Sequence, residues 1–504
     1  MDIRMNAPFK LLVSMSAIAL LSGCANFKGI HSDASLRQVG DYASNATLPA
    51  EGGPWPDTGW ALVIGGAPLQ ALIDEALANS PNLRVAEARV NAARAAADSA
   101  RAAAGATVNA NFSSTYQRYT ENGLIPPPLA GAYVTDNLLA LNFSYDFDFW
   151  GRHAAALRAA LAQGQVAQAE QYAARLMLST AIARGWVQLA RQQGQYELVQ
   201  QQLTARRKIN DLARLRYRSG LDSDSDSEES RQQIASLRAE QTQWQEVIAL
   251  TRNQLAALLG QGPDRGLRIM PGDLPPKSAL QDALPDALPA GLLGRRPDIV
   301  AARWRVEAAQ HNIDESKAQF YPDVNLMAFA GFSSIGLSEL LQAGSRIVGV
   351  GPAIHLPIFG NGALRAQMKG SVAAYDVAVA SYNQALTEAL HDVADQVQSL
   401  RHVHEQSDQV QVAADAAAKN LQLARDRERV GTANMLPVLA AEMGLLAQRK
   451  VALDLEARST DLRIGLIKAL GGGYSVAPPP TATGISIPTG AAAVEHSLNA
   501  KSTS

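Results

Sequence analysis

Residues that could perform catalysis are few in this chain, and their spacing assembles no site. The 504 residues include one cysteine and eight histidines. His402 and His404 are two residues apart in a predicted helix, which turns them to different faces. His311, His355 and His391 stand alone, and no glycine-rich phosphate loop follows a predicted strand. These residues therefore give little support to an enzyme, for example a lipoprotein hydrolase. The formal charge of -2 offers no basic surface for nucleic acid.

The single cysteine, Cys24, has a setting that predicts lipid attachment instead of catalysis. Arg4 and Lys10 precede a short apolar stretch, and Leu21-Ser22-Gly23 stands directly before Cys24. This arrangement resembles a bacterial lipoprotein signal, in which the cysteine is acylated on its thiol and, after cleavage, on its new amine. Each buried CH₂ of an acyl chain contributes about 0.8 kcal/mol to membrane binding. The alternative is an ordinary buried thiol behind a plain secretory signal.

The expected consequence is a chain held on a membrane by lipid. Residues 1–23 would be removed as the signal peptide, and residues 24–64 would form the lipid-anchored segment. Ala25 stands where an aspartate would favour retention in the inner membrane, so outer-membrane sorting is expected. No cofactor is predicted other than the covalent lipid on Cys24, and no metal site is predicted.

The chain contains an internal duplication, which is visible as short matches that recur in the same order. The matches are Pro81-Asn82-Leu83 with Pro297-Asp298-Ile299 (297 minus 81 is 216), Trp150-Gly151 with Phe359-Gly360 (359 minus 150 is 209), Leu157-Arg158 with Leu364-Arg365 (364 minus 157 is 207), and Arg214 to Gly220 with Arg425 to Gly431 (425 minus 214 is 211). They predict two units, 65–261 and 291–472. A proline-rich linker, 262–290, joins them, and the tail over 473–504 is predicted to be disordered.

Each unit contains two helical stretches that should form a hairpin. Residues 153–219 and 361–430 contain no proline, and at 1.5 Å per residue each helix would be about 100 Å long. Gly220 and Gly431 follow, and a second helical stretch begins after each glycine. Two antiparallel coiled-coil hairpins with tips near these glycines are expected. A soluble helical bundle would explain the helices alone.

Four short regions change from helical spacing to strict alternation of apolar and polar residues, which indicates strands. The predicted strands are 107–118, 138–150, 323–334 and 347–359. Their length suits tilted strands that cross a bilayer, which need about 9–11 residues. Aromatic residues at the helix-proximal ends predict an interfacial girdle of Phe149, Trp150, Phe320, Tyr321 and Phe359. A soluble sandwich would also alternate, so the lipoprotein signal and the girdle favour a membrane.

Four strands are too few for a closed membrane barrel, because the smallest single-chain barrels have about eight. Three chains would supply twelve strands, so a homotrimer is expected. The predicted fold is a mixed one, a trimeric membrane β-barrel continued by a long α-helical coiled-coil tunnel. Asp146, Asp148 and His355, together with Asn and Ser side chains, are expected to line its pore.

These residues resemble the TolC-like outer-membrane efflux factors, in the lipoprotein branch that includes OprM and NodT. The most specific segments are the phrase from Leu288 to Ile299, which contains Arg295-Arg296-Pro297-Asp298, and the second hairpin tip from Gly431 to Leu439. The resemblance implies an outer-membrane channel with a periplasmic extension, which works with a periplasmic adaptor and an inner-membrane transporter, usually of the proton-coupled resistance-nodulation-division class. The alternatives are the exit duct of a type I secretion system and a coiled-coil structural lipoprotein without a channel.

The resemblance also implies carboxylates after each tip glycine, where threefold symmetry makes rings. In the first hairpin Asp226 and Glu229 stand six and nine residues after Gly220, with Asp222, Asp224 and Glu228 nearby. In the second hairpin Pro437 and Ala440 occupy the matching positions. A cation-attracting aperture based on Asp226, Glu229 and Asp224 is one interpretation. Acidic residues favoured at a helix N-terminus are the other.

Overall fold

The computed structural model describes residues 27–43, 47–48, 53–221, 223–272, 274, 288–357 and 361–475. The helices are α1 Trp60–Asn79, α2 Pro81–Ala103, α3 Arg152–Arg218, α4 Asp224–Leu258, α5 Leu288–Arg295, α6 Pro297–Ala318, α7 Asn361–Arg429 and α8 Met435–Ala469. The strands are β1 Thr107–Arg118, β2 Tyr133–Phe147, β3 Asp323–Ile335 and β4 Arg346–His355. The predictions for the signal 1–23, Cys24, Asp222, Phe359 and the tail from 476 lie outside the described residues.

The element order repeats once along the chain. A helix, two strands, a long helix and a shorter helix follow one another from α2 to α4 and again from α6 to α8. The long helices α3 and α7 have 67 and 69 residues, and α4 and α8 have 35 each. At 1.5 Å per residue the long helices extend for about 100 Å. Their bounds lie within one residue of the stretches read from the sequence.

Both hairpin tips have the same helix-ending geometry. Gly220 and Gly431 adopt φ of 67° and 76°, the left-handed region that glycine enters without steric cost. Leu221 N donates to Arg216 O at 2.9 Å, and Thr432 N donates to Arg427 O at 2.9 Å. These are Schellman closures, which satisfy the last carbonyls of α3 and α7. The two glycines therefore stand at the hairpin tips, where the sequence analysis expected them.

The strands form one antiparallel sheet in the order β1-β2-β3-β4. β1 has the predicted bounds, and β3 extends one residue beyond them. β2 begins at Tyr133, five residues before the predicted start at 138, and ends at Phe147, three before the predicted 150. The strand ends early because the Asp148 carboxylate accepts from His153 N at 3.1 Å and Ala154 N at 2.8 Å, which starts α3. β4 ends at His355, short of the predicted 359.

The core lies around α3, which packs on α1, α2, α4, α6 and α8. Its largest cluster joins α1, α2, α4 and α8 to α3 through apolar side chains that include Trp60, Leu72, Ile182, Leu189, Leu255 and Ile464. Among the described residues α1 is the one helix long and apolar enough to cross a membrane by length and composition. It is kinked at Gly65 and Gly66, and Ile64, Leu69 and Ile73 are buried in this cluster. α1 is therefore a core helix.

The chain after α8 remains packed for several residues, which corrects the predicted start of disorder at 473. The Tyr474 ring lies 5.0 Å from the Tyr172 ring, measured between centroids. A Cβ at Gly473 would lie 2.7 Å from the backbone of Asp57 and Thr58. The end of the second unit thus packs against the segment that leads into α1.

Arg296, in the Arg-Arg-Pro-Asp phrase, ties the start of α6 to α7 and α8. Its guanidinium donates to Asp298 at 2.7 Å, to Asp392 at 3.0 Å and to the Ala469 carbonyl at 3.4 Å. Burial lowers the pKa of Arg296, but the two carboxylates outweigh that effect and raise it. Burial likewise raises the pKa of Asp298, and the bonds and charge of Arg296 bring it below its ordinary value. The group stays charged and holds three helices in register.

We predict that Gly185→Ala destabilises the first hairpin, whereas Gly164→Ala on the same helix does not. A Cβ at Gly185 would lie 2.7 Å from the buried Leu255 Cδ2, whereas nothing lies within 4 Å of a Cβ at Gly164. Overpacking should cost about 1–3 kcal/mol, while alanine in an open helix position gains about 1 kcal/mol. The midpoint temperature at which heat dissociates the trimer measures the change in stability of each variant. Equal midpoints for the two variants would contradict the packing described for α3 and α4.

Candidate conducting channel

The strand register divides the sheet into two chemically different faces. The lipid face carries exposed apolar side chains, including Val108, Phe112, Leu141, Val348, Val350 and Ile354. On the opposite face, the lumenal face, Asn109 pairs with Asn142, Asp146 with Asn325, and Asp323 with His355. Because alternate residues of a strand point to opposite sides, one face suits hydrocarbon and the other suits a water-filled pore. Asp146 and His355 lie on the lumenal face.

Two expectations about this region are wrong. Asp148 is not a strand residue, because its carboxylate caps α3, although it borders the same cavity as Asp146 and His355. Phe320 belongs to no exposed girdle, since it is buried with its ring 5.7 Å from that of Phe27. Local packing has thus buried Phe320, and helix capping has removed Asp148 from strand β2.

The aromatic residues at the barrel end of the tunnel include two stacked pairs, Phe147 with Phe149 and Trp150 with Tyr321. The Trp150 and Tyr321 rings lie 4.5 Å apart at an interplanar angle of 16°. The Trp150 indole N–H donates to the Pro322 carbonyl at 2.8 Å. The Trp150–Tyr321 pair joins the segment after β2 to the segment before β3. The Trp150 side chain is amphipathic, and its hydrogen bond to Pro322 satisfies its polar group.

A charged cluster on the lumenal face, here called the junction cluster, fixes α3 to the sheet. The Asp146 carboxylate accepts from the Arg152 guanidinium at 2.5 Å and lies 2.9 Å from His153 Nε2. Arg152 also lies 3.6 Å from Asp323 on the neighbouring strand. Charge-assisted bonds of this kind are stronger than neutral ones. The tunnel therefore begins in a defined orientation relative to the barrel.

The two hairpins meet along a polar seam between α3, α4 and α8. Arg191 pairs with Asp454 at 2.7 Å, and Lys450 pairs with Glu240 at 2.5 Å. Gln195 donates to Asp454 and to the Lys450 carbonyl, both at 2.9 Å. In contrast, the seam within the second hairpin is apolar and contains Leu421, Ala424, Val438, Ala441 and Leu445.

The first hairpin tip exposes its acidic residues. Asp224 and Asp226 stand in the first turn of α4, and both are exposed, as is Glu229. Glu229 accepts from the Gln233 amide at 3.0 Å, and Glu228 pairs with Arg231 at 2.6 Å. The geometry satisfies the helix-terminus interpretation, because carboxylates are favoured in a first turn. It also leaves the carboxylates of Asp224 and Asp226 open to solvent.

At the second hairpin tip an uncharged residue stands at the start of the helix. Asn434 caps α8 by accepting from Leu436 N at 3.1 Å. Pro437 and Ala440 are exposed at the positions that match Asp226 and Glu229. The two tips therefore have the same backbone closure but different charge.

An N-terminal strap, residues 27–43, runs along α7 from its start. Arg365 donates to the Lys28 carbonyl at 3.3 Å, and Asn383 exchanges hydrogen bonds with Arg37 N at 2.8 Å and the Ser35 carbonyl at 3.1 Å. Phe27, at the first described position, packs on Phe320, three residues before β3. Phe27 therefore lies beside the barrel end of the tunnel.

Arg152, Asp323 and the α3–α8 seam were not identified from the sequence. Asp323 and Asp146 belong to different units, 177 residues apart (323 minus 146), and no local pattern marks such a pair. Within the described residues there is no group of three or more His, Cys, Asp or Glu side chains placed to hold a metal ion.

Known proteins resemble this chain in sequence and in architecture. The family described as outer membrane efflux protein matches residues 72–261 and 288–472. The putative multidrug resistance outer membrane protein MdtQ of Shigella flexneri is 31% identical over 468 residues, 91% of this chain and 96% of that protein. The fusaric acid resistance protein FusA of Burkholderia cepacia is 32% identical over 366 residues, 71% of this chain and 68% of that protein.

Solved structures agree with the sequence relatives. The outer membrane protein VceC of Vibrio cholerae superposes with a TM-score of 0.75 at 38% identity, covering 84% of this chain and 100% of that one. CusC superposes with a TM-score of 0.74 at 27% identity, covering 88% and 100%. The chain belongs to the outer membrane efflux protein family, and it is the outer-membrane channel component of a tripartite efflux pump, with four strands and two helical hairpins per subunit of a trimer.

Proposed function

We propose that this duct serves a proton-coupled inner-membrane transporter of the resistance-nodulation-division class and conducts small toxic compounds without changing them chemically. The supporting observation is the lumenal face, which places polar side chains along β1 and at the helix-proximal ends of the other three strands, above the long helices. Relatives named for multidrug resistance and fusaric acid resistance support small organic cargo. The lipoprotein-branch resemblance supports the transporter class. An adaptor would join the two proteins in the periplasm.

Two measurements test this proposal. The purified trimer should conduct ions in planar bilayers, because its interior is polar. In cells that make the chain, export of a fluorescent drug should stop when a protonophore collapses the proton gradient while ATP is maintained. Cells that lack the chain provide the background rate. Export that survives the protonophore and stops on ATP depletion would indicate an ATP-driven partner, as in type I secretion.

We further propose that Cys24 carries the lipid anchor at the periplasmic surface of the outer membrane. Phe27 packs on Phe320 next to β3, and three extended residues span at most about 10 Å. Cys24 is therefore within reach of the barrel end of the tunnel, where an acyl chain can enter the bilayer.

Replacing the cysteine tests this anchor. Cys24→Ala should incorporate no labelled palmitate, since the thiol and the processing site are lost, while the barrel still permits partial membrane insertion. Ser22→Ala, which keeps the cysteine, is the matched control and should remain labelled. Labelled palmitate in Cys24→Ala would place the acylation elsewhere and refute the anchor.

At the opposite end, we propose that Asp226 and Glu229, with Asp224 beside them, form the negatively charged aperture. At the two positions that match Asp226 and Glu229 the second hairpin has Pro437 and Ala440, which carry no carboxylate. Three subunits would provide three copies of each acid, which attract cations into a narrow entrance.

Removing two of these acids tests the aperture. Asp226→Ala with Glu229→Ala should weaken cation selectivity and block of single-channel current by divalent ions, and it should leave trimers intact. Glu228→Ala, whose acid is paired with Arg231, is the control and should change neither property. An unchanged reversal potential together with unchanged divalent block would show that the two acids only start the helix.

A further inference from the structure

The lumenal face is chemically different in the two units. On β1 it carries only polar side chains, namely Thr107, Asn109, Asn111, Ser113, Thr115 and Gln117, and on β2 it carries Asp136, Asn142, Ser144 and Asp146 together with the apolar Val134, Leu138 and Ala140. On β3 and β4 the same face carries Met327, Phe329, Gly331, Ile347, Gly349, Gly351 and Ala353 between the charged end and the loops. A polar lining is the expectation for a water-filled barrel. The second unit departs from it over the middle of its two strands.

Two large apolar side chains project from this part of the wall. Met327 is 54% exposed and Phe329 is 43% exposed. The Phe329 ring lies across Gly349, because a Cβ at position 349 would come within 2.5 Å of two ring atoms. Met327 pairs with Gly351, where nothing lies within 4 Å of a Cβ. The ring therefore covers Gly349 with one side and leaves the other side open, whereas the space above Gly351 beside Met327 is free.

An exposed surface of this kind favours a particular solute. Contact between two apolar surfaces removes both from water, and this stabilises the contact by about 25 cal/mol for each Å² covered. An aromatic ring and a methionine sulfur both make favourable contacts with a second aromatic ring. No charged side chain stands between Asn325 and Ser333 on this face of β3. Planar aromatic molecules are thus the class that the wall can hold, and with one open side it can also release them.

We propose that Met327 and Phe329, which pair with Gly351 and Gly349 on the neighbouring strand, form an apolar wall strip that weakly binds planar aromatic solutes and sets the preference of this duct for them. Threefold symmetry makes three such strips, which alternate with three polar sectors from β1 and the helix-proximal half of β2. The proposal rests on the channel function and adds a substrate class to it. Weak binding suits conduction, because a solute must enter a site and leave it again.

Single-channel recording with two probes of equal charge tests the strip. Benzenesulfonate is the aromatic probe, and cyclohexanesulfonate is its saturated counterpart; both are added from the side of the loops that join the strands. The wild-type trimer should be blocked by the aromatic probe at a concentration about three to ten times lower than by the saturated one. Their equal charge cancels any electrostatic effect of the acidic residues.

Variants locate the effect. Met327→Ser with Phe329→Ser should abolish the difference between the probes, whereas Asn142→Ser, at the residue paired with Phe329, should retain it. If the double variant forms no heat-modifiable trimer, Phe329→Leu takes its place, since it keeps an apolar side chain and removes the ring; it should reduce the difference. Equal block of the wild type by both probes, or an unchanged difference in the variants at Met327 and Phe329, would overturn the strip. Absence of any conductance would instead contradict the channel itself.

Discussion

The backbone of the sheet edges is the constraint on which this molecule depends. β1 and β4 are the edges of a four-stranded sheet, and each presents a row of N–H and C=O groups that hydrocarbon cannot satisfy, at several kcal/mol per group. Closure with two further copies pairs every edge and produces twelve strands. Once the barrel is closed by three chains, the long helices that continue from it must also close around the same axis. The tunnel is thus a consequence of how the sheet satisfies its hydrogen bonds.

Duplication explains how the helices fill that ring. α3 packs on α6 and α8 of the second unit, whereas α7 makes no comparable contact with α2 or α4 among the described residues of its own chain. Because the units have the same element order, the corresponding face of α7 is the one that the neighbouring subunit can cover. The polar seam with Arg191 and Asp454 joins units within a chain. Its counterpart between chains must be built from different residues, since the units have diverged.

The sequence was sufficient where a structural signal is local. The bounds of β1 and the tips at Gly220 and Gly431 follow from alternation and from glycine's access to positive φ. The start of β2 was hidden because Thr135, Asp136 and Asn137 interrupt its apolar pattern. Asn137 is buried there, where its amide oxygen accepts from Ser114 at 2.7 Å and its amide nitrogen donates to the Thr135 carbonyl at 3.2 Å. A polar side chain satisfied within the sheet cannot be distinguished from a loop residue by periodicity alone.

The divergence of the two units gives the duct a chemistry with threefold and not sixfold symmetry. At the tip, the first unit contributes Asp226 and the second contributes Pro437, although both helices end with the same glycine closure. In the barrel, Asn142 of the first unit pairs directly with Phe329 of the second. Backbone geometry is shared because hydrogen bonding and packing require it in both units. Side chains that face the lumen are free of that requirement, so one unit can become charged or polar while the other becomes apolar. A duplicated chain can therefore present two kinds of wall to a passing solute while keeping one architecture.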